Sequence, residues 1–110
     1  MKLGNLNEPA QQVSFLQAVR LGLGVRQGLF FPGRWPALDI PELLDMPMVP
    51  RSIALFKALI GDEVDDAGLT EMVQGAFTFP APLVPITGHI ACLELFHGPT
   101  LAFKDFGARL

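Results

Sequence analysis

Proline and glycine punctuate this chain from one end to the other: 10 of the first and 11 of the second are spread without period through 110 residues. A proline lacks the N–H that continues a helix or a ladder, and a glycine costs backbone entropy in either. Interruptions this dense argue against a helical bundle and predict short elements of both kinds, a mixed α+β arrangement of the α/β class. Half of the residues are hydrophobic and 17% are charged. That much apolar surface offsets the entropy of ordering, so the chain is expected to fold. Its length suits one small domain rather than a large two-domain enzyme.

The formal net charge is −3, and the basic residues are spread singly from Lys2 to Arg109. No basic stripe exists to neutralise a phosphate backbone, which argues against nucleic acid as a partner. Pro, Gly or charge breaks every apolar run before the roughly 20 residues that a membrane-crossing helix needs. The lone Cys92 has no internal disulfide partner, and the start Met-Lys-Leu-Gly-Asn-Leu-Asn lacks the apolar stretch of a signal peptide. A reducing, cytoplasmic setting is expected.

Leu3 and Leu6 suggest a short strand. Ser14 can cap a helix in which Phe15, Ala18 and Val19 share a face and which Gly22 stops. Gly28 to Pro32 reads as a buried strand. Asp39 with Pro41 opens a short helix limited by Pro47, and Pro50 opens a longer one in which Ile53, Phe56, Leu59 and Ile60 recur before Gly61. Asp65 or Asp66 can cap a further helix with Leu69, Met72, Val73 and Ala76 inward. After Pro80 and Pro82 the pattern turns extended, with Gly88 as a turn and Ala91 to Phe96 alternating like a strand, so a boundary is expected near residue 80. Phe15, Val19, Phe30, Ile53, Phe56, Leu59, Leu69 and Val73 form the expected core.

Among residues able to carry chemistry, Lys104 stands first. Phe103 and Phe106 flank it closely, and apolar surroundings favour the neutral amine that attacks an aldehyde. The plainer reading is an exposed lysine paired with Asp105. His97, beside a Gly-Pro turn, is either a proton donor and acceptor or a turn histidine bonding locally. Cys92 reads as a small buried hydrophobe and Glu94 as a strand residue facing solvent or an ion pair. Asp62, Glu63, Asp65 and Asp66 lack the spacing of a calcium loop and read as a helix-capping turn. Gly22-Leu23-Gly24 follows a helix, the wrong context for a phosphate cradle.

The run from Leu93 to Gly107, Leu-Glu-Leu-Phe-His-Gly-Pro-Thr-Leu-Ala-Phe-Lys-Asp-Phe-Gly, is similar to the cofactor-lysine segment of the threonine synthase family. Val13-Ser14-Phe15, Gly28 to Pro32, Ile60 to Glu63 and Phe79 to Pro82 resemble that family's amino-terminal domain, in order. The resemblance implies a tryptophan-synthase-β-like fold, with residues 1–80 as the amino-terminal domain and 81–110 as the truncated start of the catalytic domain. It implies a pyridoxal phosphate-dependent lyase that converts O-phospho-L-homoserine and water into L-threonine and phosphate. Lys104 would form the Schiff base and move protons, and Phe103 would pack on the cofactor ring. In that family the phosphate cradle and most substrate contacts follow the lysine in sequence. An inactive fragment without bound cofactor is therefore expected, self-associating through the surface of residues 95–106. Two alternatives remain: a folding or interaction module with Lys104 idle, and a threonine-synthase-like lyase acting on phosphorylated substrates with another outcome.

Overall fold

Strand β1 (Lys2–Asn5) is the centre of a three-stranded sheet in the computed structural model, which describes residues 1–110. It pairs antiparallel with β2 (Gln12–Ser14) and with β3 (Phe30–Pro32), so that Leu3 faces Val13 on one side and Pro32 on the other. Alternation puts Leu3 and Asn5 on one face, and both are buried. Asn5 satisfies its amide there: Nδ2 donates to Gln11 Oε1 at 2.7 Å and to the Val25 carbonyl at 2.9 Å, while Oδ1 accepts from Asn7 N at 2.8 Å. A β-carbon at Gly28 or Gly24 would collide with the Asn5 side chain, so the chain passes this amide only as glycine.

The strand expected at Gly28 to Pro32 is shorter and less buried than its apolar run suggested. It lies at a sheet edge, with Leu29 and Phe31 exposed. A sheet of three short strands has one covered face, so alternate side chains of an apolar strand meet water.

Helix α1 (Phe15–Leu21) begins as the sequence predicts: Ser14 Oγ accepts from Gln17 N and the Gln17 side chain returns a bond to Ser14 N, a complete capping box. Gly22, at φ 69°, ends it. Helix α2 (Ile40–Asp45) is capped by Asp39, whose Oδ1 accepts from Glu42 N at 3.1 Å. Helix α3 (Met48–Ile60) starts two residues before Pro50, because proline is accommodated in a first turn, and ends at Gly61 with φ 71°. Leu3, Phe15, Phe30, Pro32, Trp35 and Leu59 line one apolar cleft, which brings α1, the sheet and α3 together. Val19, placed in the expected core, is instead 64% exposed, since Ala18 is the α1 residue turned inward.

The acidic turn after α3 does more than cap. Glu63 accepts from the backbone N–H groups of Phe15 and Leu16, each at 3.1 Å, and from the Met1 nitrogen at 3.2 Å. Burial pushes its carboxyl up, yet these bonds and one from Ser14 outweigh it and bring the pKa down to about 2. Lys57 Nζ lies 3.2 Å from Asp62 Oδ1 and 2.5 Å from Asp66 Oδ1, and these hydrogen-bonded carboxylates raise its pKa. Asp65 Oδ1 accepts from Gly68 N at 2.7 Å and so caps helix α4 (Asp66–Ala76). Leu69, Val73 and Ala76 of α4 are buried, whereas Met72 is 37% exposed.

The chain divides into two compact units, Met1–Leu69 and Thr70–Leu110. In the second, β4 (Leu83–Thr87) and β5 (Ile90–Leu93) form an antiparallel ribbon turning at Gly88, with a bulge between Pro85 and Thr87 where proline offers no donor. Every residue of both strands is exposed. Cys92 is therefore an exposed thiol rather than a buried hydrophobe, because two strands alone cover neither of their faces.

Candidate functional site

From Glu94 onward the second unit has little regular structure until helix α5 (Asp105–Ala108), and this stretch carries the titratable side chains that the sequence singles out. Glu94 Oε2 meets His97 Nε2 at 2.7 Å, and the imidazole lies against the Phe96 ring with centroids 4.7 Å apart. His97 is thus a locally bonded turn histidine, and Glu94 belongs to an ion pair when that ring is protonated.

The turn that follows is closed by Asp105. Its Oδ1 accepts from Thr100 Oγ1 at 2.8 Å and its Oδ2 from Thr100 N at 2.9 Å. The carboxylate is buried, with 4% of its residue surface exposed. Burial raises its pKa, but the Thr100 hydroxyl and N–H, the Ala102 N–H and the Arg109 charge lower it by more, so the net shift is downward. Gly98 is packed directly on this carboxylate: a β-carbon there would lie 2.7 Å from Asp105 Cβ. Leu101, two residues on from Pro99, holds φ 58°, a left-handed conformation that a non-glycine residue keeps only when its surroundings fix it.

Lys104 stands at the end of this turn with helical dihedrals, φ −61° and ψ −22°, and its carbonyl accepts from Ala108 N at 2.9 Å. Its side chain is exposed. The ion pair with Asp105, the plainer expectation from sequence, is not formed, since Thr100 occupies both oxygens of that carboxylate. Phe103 is 65% exposed. Phe106, expected on an open apolar surface, turns instead into the unit and meets Phe79 edge-on at 4.8 Å and Phe77 at 5.8 Å. Arg109, which sequence reasoning passed over, anchors the segment: Nε donates to the Ala76 carbonyl and Nη2 to the Gly75 carbonyl, each at 3.0 Å, satisfying the end of α4. Its only signal in the sequence is a basic residue close to Lys104. The arrangement presents an exposed primary amine beside an exposed ring, on a turn fixed from within.

The same chain course occurs in a solved enzyme. The crystal structure of threonine synthase from Escherichia coli superposes with a TM-score of 0.92 at 52% identity, over 97% of this chain and 26% of that one. Over its whole length, this chain is homologous to threonine synthase. Among curated threonine synthases, that of Haemophilus influenzae is 57% identical over 110 residues and that of Escherichia coli 53% over 112, each match covering 99% of this chain. The threonine synthase of Saccharomyces cerevisiae is 35% identical over 107 residues, covering 84% of the chain. The pyridoxal phosphate-bound threonine synthase of Brucella melitensis superposes with a TM-score of 0.86 at 33% identity, over 96% of this chain and 24% of that one. No family model matches. The chain spans about a quarter of the length of the curated threonine synthases it matches, 26% for the bacterial ones just named.

Proposed function

We propose that these residues are part of a threonine synthase, a pyridoxal phosphate-dependent lyase converting O-phospho-L-homoserine and water into L-threonine and phosphate. The observation that carries this reading is the identity of 53–57% to threonine synthases along the chain, together with an exposed lysine inside the matching segment. Residues 1–80 act in it as an amino-terminal domain and 81–110 as the opening of the catalytic domain, in a cytoplasmic enzyme.

The residues at the turn fit one end of the cofactor. An exposed primary amine free of its neighbouring carboxylate suits a carbonyl, and the exposed Phe103 ring suits a flat heteroaromatic. Lys104 would hold pyridoxal phosphate covalently through Nζ, with water leaving, and Phe103 would cover the ring. When bound, the cofactor supplies an electron sink for charge developing on substrate carbons. Lys104 Nζ, when not bonded to the cofactor, would be the base and acid that carries a proton along those carbons, the neutral amine accepting it and the ammonium so formed giving it back.

Lys104→Ala in the full-length enzyme tests the reading. Threonine formation from O-phospho-L-homoserine is expected to fall by orders of magnitude, with loss of the visible absorption of the lysine-bound cofactor. A variant retaining both would remove Lys104 from the site.

A further inference from the structure

Asp105 is the one buried carboxylate of the chain, and it lies next to the residue that the proposed function depends on. We propose that Asp105 is a positioning residue for the Lys104 amine: bonded inward to Thr100, it closes the turn that presents Lys104 and withholds the nearest carboxylate from it. The inference rests on the reading of Lys104 given above.

Three observations converge on it. Both carboxylate oxygens are bonded inward to Thr100, through its N–H and its hydroxyl, and the carboxylate is buried while the adjacent lysine is exposed, so the two form no ion pair. Gly98 leaves space that the Asp105 side chain fills, so the carboxylate has a built seat. The left-handed Leu101 lies between the two bonded residues, and its own N–H donates to the Gly98 carbonyl at 3.0 Å, so the closed turn holds a conformation the loop would not keep alone. An amine beside a loose carboxylate is drawn toward that charge and out of its own direction. An amine whose neighbour is turned inward keeps its direction, and small misplacements of a reacting group are costly.

The experiment uses the full-length holoenzyme stripped of cofactor, then given pyridoxal 5′-phosphate and borohydride, with the modified lysine located by peptide mass spectrometry. Thr100→Val removes the hydroxyl donor with little change of shape and keeps the N–H. It is expected to slow trapping at Lys104 roughly ten-fold, as loss of one charge-assisted bond implies. Thr100→Ser restores the donor and the wild-type rate. Gly98→Ala, whose β-carbon would meet the Asp105 side chain first and displace the carboxylate, slows trapping as Thr100→Val does. Lys57, held by Asp62 and Asp66, is the internal reference: general loosening raises its labelling, whereas mispositioning lowers Lys104 alone. Should Gly98→Ala not fold, Thr100→Val with an unchanged melting midpoint decides. Unaltered trapping at Lys104 in that variant overturns the inference while leaving the function intact. Trapping that stays at another lysine in Lys104→Ala overturns the function itself, and the inference with it.

Discussion

The carboxylate of Glu63 joins residues far apart in sequence, accepting from Phe15 and Leu16 some 47–48 positions away. Its pKa falls from an ordinary 4.5 to about 2, so the carboxylate binds fewer protons when folded than when unfolded. The stability it contributes is full above pH 4.5 and is lost as pH falls from 4.5 toward 2. Glu63→Gln is expected to flatten the acid limb of a denaturation-midpoint profile across that window. Glu63→Ala is expected to destabilise by about 2 kcal/mol at neutral pH, since bonds to a charged acceptor exceed neutral ones. Denaturant titration of the variants beside wild type measures both. The acidic run made a capping turn readable, but not its second partner. A bond across that separation leaves no periodicity in the chain. The same holds for Asn5, whose amide organises Gln11, Val25 and two glycines, and for Arg109 on the last carbonyls of α4.

Elements were legible where their ends carry local chemistry. Ser14 with Gln17, Asp39 with Pro41, and Gly61 each sit where the spacing places them, because a cap is a contact within a few residues. Ser14→Ala is expected to cost about 1 kcal/mol by loss of that cap. Circular dichroism melting of the variant is the check. Burial was less legible than element type. Val19 and Met72 have helical spacing that suits a core, yet each lies at the margin of its apolar stripe and faces outward. Phe56, an obvious core candidate, is only half-buried, while Ile60 at the end of the same helix is 1% exposed. Ile60→Ala is therefore expected to destabilise more than Phe56→Ala, by roughly 2–5 kcal/mol where a fully buried side chain leaves a cavity. Equal effects in denaturant would contradict the burial order. At the site, the run around Lys104 was legible as a consecutive match. The Thr100–Asp105 closure inside it was not, since adjacency to Lys104 favoured the wrong partner for the carboxylate.

For the whole chain the telling quantity is apolar surface left in water. Phe96 is 49%, Phe103 65% and Leu101 74% exposed, within a stretch of eight residues. Surfaces of this kind favour association. The 110-residue chain is expected to self-associate in light scattering, and Phe103→Ser with Leu101→Ser to shift it toward monomer. A monodisperse wild-type monomer would contradict this. The ribbon of β4 and β5 carries a related consequence in time rather than in affinity. Its backbone bonds are sheltered on neither face, so they open by local fluctuation without waiting for the rest of the unit to unfold. In deuterated solvent the amides paired between Leu83 and Leu93 should exchange ahead of those in α4, whose Leu69, Val73 and Ala76 are buried. The order of exchange would then separate a ribbon open to water on both faces from a helix already enclosed.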